Sequence, residues 1–343
     1  MSSRAEDFDY ELPDELIAQQ PIEPRSAARL LVDRGSAAPA DLTVDQLPWL
    51  LRPGDLLVVN DTRVIPARLH LHRRSGGAVE VLLLERTVGD EWTCLLRPAR
   101  RIRGGESLVD ASGRVIATVT GRTPGDDQMT FEIRSEVSEE VLFALGEMPL
   151  PPYIASQPDD PGRYQTVYAQ RPASAAAPTA GLHFTTELLS ELRAMDVTVA
   201  AVELVVGLDT FRPLVESDLS RHQMHTESYR VPEATMALCR SAERVVAVGT
   251  TATRALESAA LRGELEGRTD LFITPGHRWQ VVDLMMTNFH MPRTTLLVMI
   301  EAMIGPRWRE LYAHAIAQRY RFLSFGDAML LDRHLTFPTR SQQ

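Results

Sequence analysis

Lysine is absent from this sequence of 343 residues, so all 36 positively charged side chains are arginines. Because a Schiff-base enzyme needs an amine and a Walker-type phosphate loop needs its lysine, both classes are excluded. Asparagine is almost absent too, occurring only at Asn60 and Asn288, each in a polar break next to an apolar run. An asparagine kept against such a bias is expected to be needed for its paired donor and acceptor, although asparagine is also a common turn residue.

Cysteine is scarce, and long apolar runs and excess positive charge are lacking. Cys94 and Cys239 are far apart and outside any metal-ligand spacing, which disfavours a disulfide or a zinc site. No apolar run reaches the roughly 20 residues of a membrane span, and the acidic first residues do not resemble a signal peptide. A formal net charge of −10 argues against non-specific coating of nucleic acid. We expect a cytoplasmic protein.

The sequence between residues 56 and 135 predicts an all-β unit. Short runs rich in β-branched residues recur there, with glycine-containing turns between them. The predicted strands are Leu56–Asn60, Val64–Arg73, Ala78–Thr87, Glu91–Pro98, Arg114–Arg122 and Gln128–Ser135. Such a unit buries its edges by closing into a small barrel.

Residues 150 to 335 show a different pattern, in which helices and strands alternate. The predicted helices are Thr185–Met195, Glu233–Ala242, Thr251–Arg262 and a last one through Trp308, Leu311, Ala315 and Arg319. The predicted strands between them are Val197–Val206, Arg244–Val248 and Val281–Met286. This order is typical of an α/β domain, which binds ligands at the carboxyl ends of its strands.

One candidate binding segment follows the strand Arg244–Val248. The chain there runs into Gly249, Thr250 and Thr251, which open a helix. Free backbone N–H groups and two hydroxyls would lie at the end of the strand, as in many anion sites. An ordinary helix N-cap is the alternative explanation of the threonines.

A second segment, Ala175–Phe184, combines small residues with a histidine. Thr179 and Gly181 lie in it, and the glycine lets the backbone approach a ligand closely. His183 stands at the mouth of the next predicted helix, where general acid–base catalysis is a reasonable hypothesis. A structural histidine is the alternative.

Two further segments and a group of arginines complete the candidates. Thr287–Thr295 contains Asn288 and His290 between apolar runs, and Tyr320–Met329 contains Arg321 and Asp327. Clustered guanidiniums bind phosphates, although a solvated strand face explains them as well. The clustered arginines are Arg97, Arg100, Arg101 and Arg103. The residues that could suggest a metal site fit no ligand spacing, namely Glu203, Asp209, His222 and His225.

Taken together, these segments resemble the S-adenosylmethionine:tRNA ribosyltransferase-isomerases of queuosine biosynthesis. The resemblance covers essentially the whole chain. The matching runs are Phe8–Pro13, Arg25–Leu31, Asn60–Arg68, Ala177–Phe184, Val248–Thr251, Thr287–Pro292 and Gly326–Met329. Several are long and not generic, and they occur in order.

The resemblance implies a reaction in which the ribosyl group of S-adenosylmethionine is transferred. The acceptor is 7-aminomethyl-7-deazaguanine at the wobble position of tRNA, the ribose becomes an epoxycyclopentane, and adenine and methionine leave. S-adenosylmethionine is then a substrate, and no metal or other cofactor is expected. The implied partners are S-adenosylmethionine and that tRNA, with no membrane, for a monomer or weak homo-oligomer.

The fold implied is a mixed-sheet α/β domain with an inserted small antiparallel β-barrel domain. This agrees with the pattern along the chain. We place the α/β domain at residues 1–62 and 148–343 and the barrel at residues 63–147.

The chemistry of such a reaction suggests roles for the candidate residues. The sulfonium acidifies the 5′-carbon, so a base is needed, and the leaving adenine needs a proton or hydrogen bonds. The predicted catalytic residues are His183, His290 and Asp61. The predicted S-adenosylmethionine contacts are Asn60, Arg63, Thr179, Gly181, Thr250, Thr251, Asn288 and Asp327, and the predicted nucleic-acid contacts are Arg97, Arg100, Arg101 and Arg321. Asn60 and Asn288 are expected to meet at one interdomain cleft.

The chain departs from the family pattern at three places, Val205–Phe211, His277–Gln280 and Glu301–Gly305. Asp209 and Glu301 put carboxylates where the family has small or neutral residues, and added negative charge disfavours tRNA phosphates. Two alternatives follow. A paralogue would cleave or rearrange S-adenosylmethionine with a small acceptor or none, and a non-catalytic protein would only bind tRNA.

Overall fold

The computed structural model describes residues 4–123, 130–155, 158, 160–207, 214, 218–222, 224 and 226–335. The strands are β1 (Arg29–Val32), β2 (Ala40–Thr43), β3 (Asp55–Asn60), β4 (Arg63–Val64), β5 (Arg68–Arg73), β6 (Ala78–Arg86), β7 (Glu91–Arg97), β8 (Ser107–Val109), β9 (Val115–Arg122), β10 (Phe131–Ser135), β11 (Gly146–Glu147), β12 (Pro172–Ser174), β13 (Thr198–Leu204), β14 (Glu227–Arg230), β15 (Arg244–Val248), β16 (Glu266–Thr269), β17 (Leu284–Asn288) and β18 (Ala328–Asp332). The helices are α1 (Glu139–Ala144), α2 (Thr186–Ala194), α3 (Glu233–Ser241), α4 (Gly249–Arg262), α5 (Thr295–Ile304) and α6 (Trp308–Ala317).

Nine strands form a mixed sheet in the order β16-β14-β13-β3-β15-β17-β18-β1-β2. The four central strands, β13, β3, β15 and β17, run parallel, and β18 is antiparallel to β17. Alternate residues of β3 enter two different cores, with Leu56 and Val58 on one face and Leu57 and Val59 on the other. Strands buried on both faces have the continuous apolar sequence seen here.

The barrel is formed by six antiparallel strands in the order β5-β6-β7-β10-β9-β8 and is closed by pairing of β8 with β5. β11 adds a short pairing to the outer end of β5. The core of the barrel contains Trp92, Cys94 and Phe131 together with aliphatic side chains. The predicted fold class, a mixed-sheet α/β domain carrying a small antiparallel barrel, is therefore confirmed.

Two details of the predicted strands were wrong. Leu56–Asn60, which the strand pattern grouped with the all-β unit, is β3 at the centre of the large sheet, on the α/β side of the domain limit placed at residue 62. The predicted strand Val64–Arg73 is divided into β4 and β5. The barrel strands run from Arg68 to Glu147, while the domain limits at residues 63 and 147 stay a prediction.

The remaining elements agree with the sequence within a few residues, with some omissions. The pattern did not predict α5 or the short strands β1, β2, β8, β11, β12, β14, β16 and β18. The predicted strand Gln128–Ser135 begins outside the described residues, and its described part contains β10. Within the described ranges, the helices are too short or too polar to cross a lipid bilayer.

Candidate functional site

The candidate site lies at the edge of the large sheet where three parallel strands end. β3 ends at Asn60, β15 is followed directly by Gly249, and β17 ends at Asn288. Because β15 pairs in parallel with both of the others, the three ends share one edge. This is the location at which α/β sheets bind ligands.

Asn288 holds a polar cluster together with both ends of its amide. Its Nδ2 donates to Nε2 of His183 at 3.2 Å and to the carbonyl oxygen of Leu323 at 3.2 Å. A longer bond from Nδ2 reaches the carbonyl oxygen of Asp327 at 3.4 Å. The hydroxyl of Thr179 donates to Oδ1 at 3.0 Å. Since Asn288 is buried, this position needs a side chain with both a donor and an acceptor.

The same bonds determine which nitrogen of His183 carries the proton. The amide nitrogen of Asn288 can only donate, so Nε2 accepts and the hydrogen of the neutral imidazole lies on Nδ1. The pKa of His183 is lowered to about 4, mainly by burial and further by the charges of Arg321, Arg25 and Arg163. At neutral pH the ring is therefore uncharged, with one lone pair and one N–H.

His290 is held rigidly nearby. Its Nε2 is hydrogen-bonded to the hydroxyl of Thr287 at 3.0 Å, and its backbone N–H donates to the hydroxyl of Tyr312 at 3.0 Å. The hydroxyl of Tyr10 donates to its carbonyl oxygen. Burial lowers the pKa of His290 to about 3, so this ring is also neutral.

Asp327 shapes the loop that faces Asn288. Its carboxylate accepts the backbone N–H groups of Arg29 at 2.9 Å and Arg321 at 2.7 Å. Burial raises the pKa of Asp327, although the bonds to N–H groups favour its charged form. Both carboxylate oxygens are thus used inside the protein, which indicates that Asp327 positions the loop carbonyls.

Asn60 lies on the same sheet edge, but its amide is bonded to backbone groups. Nδ2 donates to the carbonyl oxygen of Leu204 at 3.0 Å, and Oδ1 accepts the N–H groups of Leu204 and Thr62, both at 3.2 Å. β15 lies between β3 and β17. The two asparagines therefore share an edge, but their described hydrogen bonds belong to two separate groups.

Asp61 and Arg63 belong to the group on the Asn60 side. The pKa of Asp61 is raised, first by burial and then by the carboxylate of Glu203. That carboxylate forms a two-point pair with the guanidinium of Arg171, with Nε to Oε2 at 2.5 Å. The side chain of Arg63 is exposed, and its backbone N–H donates to the carbonyl oxygen of Arg171 at 2.8 Å.

The turn after β15 has the backbone that close approach of a ligand requires. Gly249 has a φ of 89°, in the left-handed region that favours glycine. Thr250 and Thr251 are buried in the first turn of α4, and the N-cap of that helix is Val248, with no side-chain capping bond. The alternative explanation of the threonines as helix caps is therefore wrong. The hydroxyl of Thr251 is buried and has no hydrogen-bond partner among the described residues, so it is an unsatisfied polar group in this turn.

Gly181 lets the 3-10 helix Thr179–His183 lie against Tyr168. A Cβ on Gly181 would be far inside the contact distance of the Tyr168 hydroxyl and 2.9 Å from Cγ2 of Thr166. Burial raises the pKa of the Tyr168 phenol well above its ordinary range. Gly181 thus helps to set the position of His183.

The arginines predicted to bind nucleic acid are divided between two places. Arg97 ends β7, and Arg100 and Arg101 lie in the 3-10 turn that follows it on the barrel. All three are exposed, and their guanidinium groups form no ion pair with the rest of the described chain. Arg321 instead lies near His183, where its charge lowers the pKa of that imidazole.

Two clefts adjoin the Asn288–His183 pair. The first has an empty volume of about 290 Å³, and its lining includes Asn288, Thr179, His290, Tyr153 and Ser324. The second has an empty volume of about 250 Å³, and its lining includes His183, Arg25, Arg163, Ser324 and Gly326. Ser324 lines both clefts, and Tyr153 is hydrogen-bonded to its hydroxyl at 2.8 Å.

Sequence reasoning gave no site role to five of these lining residues, Tyr153, Ser324, Gly326, Arg25 and Arg163. Arg25, Ser324 and Gly326 fall inside segments that the sequence had singled out, and this was the available signal. Tyr153 and Arg163 lie in no segment that the sequence had singled out, because neither lies in a periodic pattern.

At two of the places where the chain departs from the family pattern, the unusual side chain is hydrogen-bonded or ion-paired within the fold. The carboxylate of Glu301 accepts the indole N–H of Trp308 at 2.9 Å and pairs with Arg309 at 3.2 Å. His277 is hydrogen-bonded to the buried carboxylate of Glu257 at 3.1 Å. The expected repulsion of tRNA by a free Glu301 carboxylate therefore loses its basis. Of the third departure the structure describes Val205 to Gly207, and Asp209 lies outside the described residues.

Within the part of the chain that the structure describes, His, Cys, Asp and Glu side chains form no group of three that could hold a metal ion. Glu203 pairs with Arg171, and the ring of His222 packs against an aromatic side chain. Asp209 and His225 are outside the described residues.

Known proteins of one family resemble this chain over nearly its whole length. The family model described as queuosine biosynthesis protein matches residues 5–331. A protein of Symbiobacterium thermophilum named S-adenosylmethionine:tRNA ribosyltransferase-isomerase is 50% identical over 339 residues, which cover 96% of this chain and 99% of the relative. A protein of the same name from Moorella thermoacetica is 50% identical over 340 residues, with 96% and 99% covered.

A solved structure agrees with this result. The crystal structure of S-adenosylmethionine tRNA ribosyltransferase from Thermotoga maritima is 36% identical and has a TM-score of 0.54, covering 94% of this chain and 99% of that one. The chain therefore belongs to the queuosine biosynthesis protein family, whose relatives carry the name S-adenosylmethionine:tRNA ribosyltransferase-isomerase.

Proposed function

We propose that this chain transfers the ribosyl group of S-adenosylmethionine to 7-aminomethyl-7-deazaguanine at the tRNA wobble position and isomerises it. The products are epoxyqueuosine in tRNA, adenine and methionine. The observation that carries the proposal is the 50% identity, over 339 residues, to a relative named for this activity. S-adenosylmethionine serves as substrate, and the enzyme acts in the cytoplasm as a monomer or weak homo-oligomer.

His183 is the proposed base. Its neutral imidazole can take a proton from the 5′-carbon, which the neighbouring sulfonium acidifies. Nε2 is the atom with the lone pair, so the bond from Asn288 is exchanged for the substrate proton. Because the pKa of His183 is lowered to about 4, the imidazolium that forms is a stronger acid than an ordinary one. It returns the same proton to a ring nitrogen of adenine, which leaves with the electron pair of its glycosidic bond. The acceptor amine loses its own proton to water as its bond to the ribosyl group forms, and methionine leaves with the electron pair of its carbon–sulfur bond.

The groups around His183 hold the donor in this proposal. Thr179 and Asn288 line the larger cleft and offer a hydroxyl and an amide to the sugar. His290 is fixed by its bonds to Thr287 and Tyr312 and lines the same cleft as a neutral positioning group. The Thr251 hydroxyl, which lacks a partner in the described structure, is available to a ribose hydroxyl or to the carboxylate of the donor.

Arg97, Arg100 and Arg101 supply the proposed tRNA contacts on the barrel. Their exposed guanidinium groups form a positive surface on a chain whose net charge is −10. Such a local patch binds phosphates even when the whole protein is acidic.

Release of adenine separates this function from its alternatives. With S-adenosylmethionine and tRNA that carries the deazaguanine base, we expect adenine and methionine in equal amounts and a modified tRNA. Neither product should form when that tRNA is left out. Release without tRNA would instead indicate the paralogue with a small acceptor or none, and no release in either case would indicate a protein that only binds tRNA.

The rate of adenine release should be independent of pH between about 8 and 5.5 and fall below pH 5. The active form of His183 is neutral and its pKa is about 4, so the rate is lost as pH falls through that value. Single-turnover release with saturating substrates measures this, with circular dichroism at each pH as the control for folding. A fall centred near 6.5, the ordinary pKa of histidine, would exclude His183 as the base.

A further inference from the structure

The second cleft is lined by guanidinium groups whose hydrogen bonds go mainly to neutral carbonyl oxygens. The guanidinium of Arg25 donates to the carbonyl oxygens of Gln165 at 2.7 Å and Gly162 at 3.1 Å, which are neutral partners. Arg163 donates to the carbonyl oxygen of Ile22 at 2.6 Å and pairs with Glu23, whose side chain is 69% exposed.

A third guanidinium adds to this field. Arg321 donates to the carbonyl oxygen of Gln20, another neutral group. Three acidic side chains act on these arginines, Glu23 and Asp160 on Arg25 and Asp327 on Arg321. The charge of all three guanidinium groups nevertheless reaches His183 inside the cleft. Arginine binds a phosphate through paired N–H groups while keeping its charge, so an anion fits this cleft.

The first cleft has the opposite character. Its lining is uncharged and includes Tyr153, Thr179, Asn288, Phe289 and Met291, and the His290 ring there is neutral. A sulfonium cation is repelled by guanidinium groups and favoured by an uncharged cleft with aromatic and thioether side chains. The charge of the donor thus assigns it to the first cleft.

We propose that the second cleft, with Arg25, Arg163 and Arg321, binds a backbone phosphate of the acceptor nucleic acid next to the modified nucleotide. This inference rests on the proposed function, because it assigns the two substrates of that reaction to separate sides of one site. Ser324 lines both clefts, and the Asn288–His183 bond joins them. The donor and acceptor would meet at His183.

The test compares Arg163→Gln with Arg163→Lys and with Arg262→Gln. Arg262 is the matched control, because its guanidinium also binds a carbonyl oxygen, that of Arg268, and a carboxylate, that of Asp270. The probe is an anticodon stem-loop RNA carrying 7-aminomethyl-7-deazaguanine. Its Kd is measured by fluorescence anisotropy without S-adenosylmethionine at several salt concentrations, and thermal unfolding of each variant is followed in parallel.

Arg163→Gln should weaken binding of the stem-loop about tenfold and reduce the slope of log Kd against log salt by about 1. Arg163→Lys should lie between it and the unchanged chain, since it keeps a charge without the paired N–H geometry. KM for S-adenosylmethionine should not change in either variant. Arg262→Gln should match the unchanged chain in all three measurements.

Other results would overturn the inference. A raised KM for S-adenosylmethionine with unchanged stem-loop binding would assign the cleft to the carboxylate of the donor. If Arg163→Gln and Arg262→Gln weakened stem-loop binding equally, Arg163 would only stabilise the fold. If Arg163→Gln weakened stem-loop binding but the unchanged chain released no adenine, only the proposed function would be rejected. If the unchanged chain released adenine normally but Arg163→Gln left stem-loop binding unchanged, only this inference would be rejected.

Discussion

Alanine in place of His183 is expected to slow adenine release about 1,000-fold, within the range of about 100- to 10,000-fold that a general acid–base group supplies. The reason is that one imidazole both takes the proton from the 5′-carbon and returns it to adenine. Single-turnover release with saturating donor and acceptor is the appropriate measurement, because product release cannot mask the chemical step there. His314→Ala is a suitable control, since that ring is bonded to Asp41 outside either cleft.

A second substitution tests whether the histidine and the amide act as a unit. Asn288→Ala removes the donor to Nε2 of His183 and the acceptor for Thr179, and should slow release about 100-fold. The double variant should be no slower than His183→Ala, because the amide acts through the ring. Losses that multiply to about 100,000-fold would show that Asn288 works independently of His183.

The centre of the fold was predictable because its physical cause is local. Parallel strands buried on both faces appear as apolar runs, so Arg244–Val248 was predicted with its observed limits. Leu56–Asn60 was recognised as a strand by the same reasoning, but the strand pattern alone grouped it with the all-β unit. A sequence pattern contains no information about which strand is the partner, and pairing with β13 and β15 decided the assignment.

The omissions have a physical cause too. Eight of the ten residues of α5, which spans Thr295–Ile304, are buried, so the helix lacks the polar face that gives a periodic signal. The missed strands are short, as β14 and β16 show with four residues each. Four residues are too few to display an alternation of two faces.

The candidate site was predictable as segments but not as contacts. His183 and Asn288 were singled out separately, and only the fold brings these residues, 105 positions apart, within 3.2 Å. Asn60 and Asn288 are the two asparagines of the sequence, and nothing in the sequence distinguishes their roles. In the fold, the Asn60 amide joins two strands, whereas the Asn288 amide contacts the candidate catalytic ring of His183. Arg25 lies in a segment that the sequence had singled out, but its role was not predictable there, because an arginine acquires its role from the groups that the fold places around it.

Alanine at Gly181 is expected to destabilise the protein by about 1–3 kcal/mol, the usual cost of forcing extra volume into a packed region. The new Cβ would overlap the hydroxyl of Tyr168 and lie 2.9 Å from Cγ2 of Thr166. The 3-10 helix would have to move, and His183 with it, so adenine release should also slow. Urea unfolding and single-turnover release measure the two effects.

Tyr168→Phe tests whether the Tyr168 hydroxyl is the atom that makes alanine at position 181 unfavourable. The Tyr168 hydroxyl has no hydrogen-bond partner among the described residues, so its removal alone should change the free energy of unfolding by less than about 1 kcal/mol. Combined with Gly181→Ala, it should restore part of the lost stability and part of the rate, because the overlapping atom is gone. Gly326→Ala is the contrasting variant, since its Cβ would lie 2.5 Å from the backbone carbonyl carbon of Phe322 and no side-chain change can relieve that overlap. If Tyr168→Phe restored nothing to Gly181→Ala, the hydroxyl would not be what requires a glycine beside His183.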